Sequence, residues 1–372
     1  MAVPTMQIKY SYLDKQFAEI DSILDAIRAL VRSGDFTLGA AVAEFENRFA
    51  ALHGAAYAVG VNSGTDAIAL SLRANGVGPG AEVITAPNTF IGTVGGIVQT
   101  GARPVFVDVG PDYNINPELI EQAITPRTRA LVPVHLCGRP ADMPAILEIA
   151  ERRSLLVIED AAQAIDAAID GRYVGTFGMA GCFSLHPLKN LNVWGDGGVI
   201  VTNSRAFRDR LRLLRNHGLA TRDDVETFGF NSRLDSLQAV VGLALIDQTR
   251  AITDARIANA TCYDAAFADL GDFITVPTRN PRVREVFHTY VIQAKDRDQL
   301  ISSLRGAGVE AKIHYPTPLH LQPAASHLGY RAGSFPTAEA QSRSILSLPV
   351  HQHLQRGEAD YVIECVRRFY GR

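Results

Sequence analysis

The sequence predicts an α/β fold: a large domain with a mostly parallel sheet of about seven strands between helices, then a smaller C-terminal α/β domain. Three observations carry this. Short apolar runs, nearly continuous in Val, Ile, Leu or Ala, recur through residues 57–202, as strands covered on both faces require. Helical segments lie between several of them, which makes the neighbouring strands parallel. Past residue 202 the alternation gives way to long helical stretches and two strand-like runs.

In chain order, residues 1–54 read as amphipathic helix. Phe17, Ile20, Leu24, Ile27 and Leu30 recur at spacings of three and four, Phe45, Phe49 and Leu52 repeat the pattern, and 33–39 breaks it. Runs 57–61, 82–86, 104–109, 130–136 and 155–159 read as strands, with helices over 66–74, 117–124 and 143–152. Runs 182–185 and 199–202 complete the seven, joined by an irregular loop ending in Gly-Asp-Gly-Gly (195–198). Residues 206–217 read as an arginine-rich helix and 232–270 as one long or interrupted helix. Strand-like 289–294 and 309–313 flank a helix over 298–307, and a last helix begins near Glu358. The expected division is 1–249, the large domain with its N-terminal helices, and 250–372, the small domain.

At 372 residues, 47% of them hydrophobic and 20% charged, the chain can bury a large core. A formal net charge of -3 with no Lys/Arg block excludes a general nucleic-acid binder. Cys137, Cys182, Cys262 and Cys365 form no CxxC pair and no His cluster has metal spacing, so neither a metal site nor disulfides are expected. The first residues lack a basic region followed by an apolar run, and no apolar run reaches the ~18 residues of a membrane helix. The expectation is a soluble, cytoplasmic protein.

Ligands of such sheets bind beyond the carboxyl ends of the strands, so the loops after each strand matter most. After the first, Asn62-Ser63-Gly64-Thr65-Asp66 opens a helix, as an ordinary N-cap or as a phosphate site. After the second comes Phe90, a core residue or a ring to stack on. After the fifth comes Glu159-Asp160-Ala-Ala-Gln163, where Asp160 is a structural acid or the partner of a protonated ring nitrogen. Lys189, between two apolar strands, is a surface lysine or a desolvated amine able to attack an aldehyde or ketone. Taken together the four loops describe pyridoxal phosphate: its phosphate at 63–65, ring at Phe90, ring nitrogen at Asp160 and aldehyde at Lys189.

The chain resembles the DegT/DnrJ/StrS sugar aminotransferases, within the fold type I pyridoxal phosphate enzymes. The resemblance rests on Asn62-Ser-Gly-Thr-Asp66, Glu159-Asp-Ala-Ala-Gln163, Phe183-Ser-Leu-His-Pro-Leu-Lys-Asn-Leu191 and Gly229-Phe-Asn-Ser-Arg-Leu-Asp-Ser-Leu-Gln238. His314-Tyr-Pro-Thr-Pro-Leu-His-Leu-Gln-Pro323 and Leu346-Ser-Leu-Pro349 extend it over essentially the whole chain. It implies that Lys189 holds the cofactor as a Schiff base and shuttles protons once released, and that Asp160 pairs with the pyridine nitrogen. Gln163 then lies near the ring hydroxyl, Gly64, Thr65 and Ser184 bind the phosphate, and Phe90 stacks on the ring. Asn231 reaches across the interface of a homodimer to the phosphate. Arg233 meets an anionic group or forms an interface salt bridge; His314, Tyr315 and His320 touch substrate or are packed residues of the small domain.

The implied reaction moves an amino group from an amino acid, with glutamate expected, to a keto sugar. A nucleotide-linked 3-keto sugar is favoured, and the alternative is a sugar without a nucleotide, such as an octulosonate, hexose phosphate or cyclitol. A related group that deoxygenates sugars carries His where Lys189 stands, which disfavours a dehydratase. A non-catalytic cofactor-binding regulator needs an effector segment that the sequence does not display. No GxGxxG follows the first strand, against a nicotinamide enzyme.

Overall fold

A computed structural model describes residues 6–372; the absence of a leader was read from the first residues, of which 1–5 lie outside the described residues. Helices α1 (Leu13–Gln16), α2 (Asp21–Ser33) and α3 (Ala40–Leu52) precede β1 (Tyr57–Val61). Then come α4 (Gly64–Ala74), β2 (Glu82–Thr85), α5 (Ile91–Gln99), β3 (Arg103–Phe106), β4 (Thr128–Leu131), α6 (Met143–Arg153) and β5 (Leu156–Asp160). Two short strands, β6 (Ala168–Ile169) and β7 (Arg172–Tyr173), lead to β8 (Ala180–Ser184), β9 (Gly198–Thr202) and α7 (Arg205–Leu214).

The sheet has seven strands in the order β1-β9-β8-β5-β4-β2-β3. Only β9 runs antiparallel to its neighbours, with Gly181 opposite Val201 and Val61 opposite Gly198. The near-continuous apolar runs follow from cover on both faces. Val199 and Val201 pack with Phe45 and Phe49 of α3, whereas Ile200 between them packs with Ile68 and Leu72 of α4. This is the mostly parallel, doubly covered α/β domain expected from the sequence.

The remaining elements are α8 (Ser236–Ile246), α9 (Thr249–Phe267), β10 (Ile274–Thr275), β11 (Val283–Arg284), β12 (Tyr290–Ala294), α10 (Arg297–Gly306), α11 (Pro336–Ser344), β13 (Ile345–Leu348) and α12 (Arg356–Phe369). Strands β10, β12 and β13 form a second sheet. Its core joins Tyr263 and Phe267 of α9, Leu300 and Leu304 of α10, and Val362 and Val366 of α12. Ile8 belongs to this C-terminal core, while Leu319, Leu328 and Phe335 pack instead with Ile84, Phe106 and Leu131 of the large sheet.

Three local expectations are corrected. The helix expected over 117–124 is two single 3-10 turns, Pro117–Leu119 and Glu121–Ala123, started by the Asn116 cap and too short to nucleate an α-helix. The strand-like run 309–313 makes only isolated bridges, Val309 to Ile8 and Lys312 to Ser347, because its residues pair with different segments. The sequence reading left out α5, whose Gly92, Gly95 and Gly96 oppose helix formation. Gly96 is there for close packing: a Cβ would come within 2.8 Å of Ile68 on α4.

Candidate active site

Beyond the carboxyl ends of β1, β2, β5 and β8 lies a cavity of about 400 Å³. Its wall contains Gly64, Thr65, Phe90, Asp160, Gln163, Ser184, Lys189, His314 and Tyr315, residues from five separate stretches of the sequence. The parallel strands deliver all but His314 and Tyr315, since each strand ends at the same edge.

Ser63 caps α4, its hydroxyl accepting from the Asp66 N–H at 3.1 Å. The helix therefore presents Gly64 and Thr65 at its positive end, beside Ser184 at the end of β8. Gly64 permits this approach: a Cβ there would meet the Ser184 Cβ at 2.9 Å.

Adjacent acids at the end of β5 have different roles. Glu159 is fully buried and accepts from the N–H groups of Gly175, Phe177 and Gly178 and from His135 Nε2. Those four donors occupy it as a structural anchor. Asp160 faces the cavity and accepts from Thr93 Oγ1 at 2.6 Å and from the Ala162 N–H at 3.1 Å. Because the Thr93 proton goes to Asp160, the 2.7 Å contact between Thr89 and Thr93 is donated by Thr89. Burial raises the Asp160 pKa, against the pull of Thr93, Ala162 and Lys189 toward the anion.

Lys189 sits in the loop between β8 and β9, which is pinned through Trp194: its ring meets Phe17 edge-on and its carbonyl accepts from Gln238. Lys189 lines the cavity, and burial lowers its pKa from 10.5 to about 8, with Asp160 opposing. An amine with that pKa is neutral in a useful fraction near neutral pH.

Gln163 accepts from the Cys137 N–H at 2.7 Å and donates to the Tyr315 hydroxyl at 3.3 Å. Phe90 is half exposed at the rim, its ring 5.9 Å from that of Tyr315. His314 contacts the Ser347 hydroxyl at 2.9 Å, and burial brings its pKa to about 4, so it is neutral.

Three residues named from sequence do not line this cavity, one of which, Asn231, was expected to serve the site of a partner copy. His320 is a correction: it is 2% exposed, bonded to Glu339 at 3.0 Å and packed edge-on against Phe335, within the protein rather than at the cavity. Asn231 is exposed beside a neighbouring depression with Asp66, Arg73 and Phe230. Arg233 donates to Asn216 at 3.1 Å and does not line the cavity. Conversely, Thr89, Thr93, Asp196 and His288 line it without having been singled out from sequence. The spacing of Thr89 and Thr93, four residues apart across a helix start, was a usable signal; His288 carried none.

Among the described residues no helix is long and apolar enough to cross a membrane, and no group of three metal-binding side chains occurs. The DegT/DnrJ/EryC1/StrS aminotransferase family matches residues 18–367. The chain is 42% identical to the dTDP-3-amino-3,4,6-trideoxy-alpha-D-glucose transaminase of Streptomyces venezuelae, over 99% of this chain and 96% of that protein. It is 41% identical to the "pleiotropic regulatory protein" of Geobacillus stearothermophilus, over 100% of this chain and 99% of that one. Its fold matches that of S. venezuelae DesV in complex with a ketimine intermediate at a TM-score of 0.96, with 41% identity over 99% of this chain and all of that one. The chain is a fold type I aminotransferase and belongs to the DegT/DnrJ/EryC1/StrS family.

Proposed function

We propose that this protein binds pyridoxal phosphate at Lys189 and transfers an amino group from an amino acid, glutamate favoured, to a nucleotide-linked keto sugar, with a 3-keto sugar favoured. The observation that carries the proposal is the enclosure of a low-pKa lysine, a buried carboxylate and a helix N-terminus in one cavity.

The donor set suits that cofactor. Hydroxyls and N–H groups at Gly64, Thr65 and Ser184 suit a phosphate, and Asp160 suits a ring N–H. The buried Nδ1 of His288 has no hydrogen-bond partner among the described residues, and His288 lies in the same wall, as at a site shaped for a polar guest. When bound, pyridoxal phosphate supplies an aldehyde that takes up nitrogen and a ring that accepts electrons when a C–H bond breaks.

This chain's residues then do the rest. Lys189 Nζ takes the proton from the donor's α-carbon and later returns one, acting as base and then acid. The Asp160 carboxylate, buried at a cost, is kept ionised by a cation beside it and in turn holds the ring proton in place. Thr93, itself fixed by Thr89, orients that carboxylate. Phe90 and Tyr315 would bound the space offered to a bound ring and limit the access of water to it.

Among the described residues the cavity wall holds one cation, Lys189, and no arginine. Phosphates of a nucleotide sugar and the carboxylate of a donor therefore need charge from outside it. Exposed Asn231 and partly exposed Arg233, both outside the cavity wall, support a homodimer in which each copy completes the other's site. The 3-keto preference draws support from the relative that is named for a 3-amino sugar.

The test is an absorption spectrum of the purified protein before and after excess glutamate, with Lys189→Ala alongside, then mass spectrometry after offering 3-keto and 4-keto nucleotide sugars. A visible band that bleaches with glutamate and is absent from the variant is expected, with amination of the 3-keto sugar. A colourless protein, or a band that no amino donor changes, overturns the reading and favours a regulatory role, the description borne by one relative.

A further inference from the structure

We infer that Tyr12, seated against Arg256, is a positioning residue for Lys189, so that the N-terminal arm forms part of the catalytic apparatus. The inference rests on the reading of Lys189 above.

The loop carrying Lys189 has no helix or strand ladder of its own, so its backbone groups must be satisfied by other means. The Lys189 carbonyl accepts from the Tyr12 hydroxyl at 2.9 Å and from Asn192 Nδ2 at 3.1 Å, while its N–H donates to the His186 carbonyl at 2.8 Å. Tyr12 is 177 residues away in sequence and 3% exposed. Burial raises its pKa, so the hydroxyl keeps its proton and donates.

Arg256 holds Tyr12 in place. It is 1% exposed in the middle of α9 and has no carboxylate within ion-pair distance among the described residues. Instead its guanidinium lies 5.0 Å from the centre of the Tyr12 ring. Nη1 donates to the carbonyls of Phe287 and His288 at 3.1 and 3.3 Å, Nε donates to Gln352 at 3.1 Å, and Nη2 has no partner among the described residues. A buried cation without a counter-ion is costly. Here it ties together two walls of the cavity: the lysine loop through Tyr12, and His288 through its carbonyl.

The same arm touches a third wall. Tyr10 packs its ring 5.7 Å from that of His314, and Ile8 bridges to Val309. Residues 8–12 thus connect to Lys189, His288 and His314, all of which line the cavity. Without the Tyr12 hydroxyl the ring still fills its place against Arg256, but the lysine loop loses one of two donors and water gains access to the amine.

The test is Tyr12→Phe in the full chain, with Tyr361→Phe as control. Tyr361 is also buried and donates to a carbonyl, that of Ala307, at 2.9 Å, but does not line the cavity. Two readouts are needed: the rate of the glutamate half-reaction, and the pH midpoint at which acetic anhydride labels Lys189 in protein freed of cofactor, read by peptide mass spectrometry. Tyr12→Phe is expected to slow the half-reaction about tenfold with the donor KM within about twofold, as a loosened reacting group does, and to move the labelling midpoint upward from about 8. Tyr361→Phe is expected to lower the melting temperature and change neither readout.

Arg256→Lys is expected to reproduce the Tyr12→Phe effects, and the double variant to be no worse than Arg256→Lys alone, since both act through one contact. Tyr12→Phe with unaltered rate and labelling midpoint overturns the inference, as does an equal response to both tyrosine substitutions. If the unsubstituted protein takes no amino group from glutamate, the aminotransferase reading falls, while the labelling midpoint still decides whether Tyr12 positions Lys189.

Discussion

A desolvated catalytic lysine should weaken the fold that holds it, and the size of that effect is calculable. Lys189 ionises near 10.5 in an unfolded chain and at about 8 in the folded one. Below pH 8 both states carry the proton, and the folded state bears the full cost of burying it. Between pH 8 and 10.5 the folded amine is neutral while the unfolded one is charged, so the cost shrinks as pH rises; above 10.5 it is gone. At about 1.36 kcal/mol per pH unit the full cost is about 3 kcal/mol, and about 2 kcal/mol once the opening of the side chain onto the cavity is allowed for. Lys189→Met keeps the apolar stem and removes the charge. In cofactor-free protein it should therefore be about 2–3 kcal/mol more stable than the parent at pH 7, with the advantage below about 1 kcal/mol by pH 10. Urea unfolding followed by circular dichroism at pH 7, 8, 9 and 10 measures this, and every other titrating group cancels in the difference. A difference that does not vary with pH, or a variant less stable than its parent at pH 7, refutes the argument that Lys189 is held desolvated.

Other substitutions separate the roles assigned above. Asp160→Asn keeps an acceptor for the Ala162 N–H, sets an amide donor against Thr93 Oγ1 so that this contact must reverse, and loses the charge; the glutamate half-reaction should fall about 10- to 1000-fold, the range of one to three pKa units that an adjacent charge contributes, with urea stability changed by about 1 kcal/mol or less. Unimpaired turnover in that variant removes Asp160 from the chemistry. Gly64→Ala drives a Cβ to 2.9 Å from the Ser184 Cβ, so the cofactor dissociation constant, followed by absorbance titration, should rise about tenfold or more; an unchanged constant places the phosphate elsewhere. His320→Ala deprives Glu339 of one partner and should cost about 1–3 kcal/mol in urea unfolding, while the acceptor KM stays within about twofold. A large rise in that KM returns His320 to the substrate site.

The parts of this molecule that could be read from sequence are those in which chemistry and chain order coincide. Each strand of a parallel sheet ends at the same edge, so short motifs after β1, β2, β5 and β8 meet in one cavity although they are far apart in sequence. Lys189, Asp160, Gly64, Thr65, Phe90, Gln163 and Ser184 all lie in such positions. Of two acids side by side in sequence, Glu159 and Asp160, the second was preferred as the ring-nitrogen partner; the structure supplies the physical reason, four donors on one and an open face on the other. His320 shows the opposite case. It stands six residues from His314 in a conspicuous motif, but the chain turns inward after Pro318 and the imidazole is spent on Glu339.

What could not be read is whatever depends on which distant segment packs against a loop. Tyr12 sits in a segment whose sequence suggested only an amphipathic helix, and nothing local in it points to Lys189. Arg256, one arginine among several in a long helix, looks like a solvated charge until its burial is known. Both matter for the same reason: a loop that must be irregular to present an amine cannot hold itself with backbone ladders, so its rigidity is borrowed from side chains elsewhere. The motif says where the amine is, and the fold decides how firmly it is held. Activity should therefore respond to substitutions in the arm and in α9 that a comparison of motifs alone would pass over.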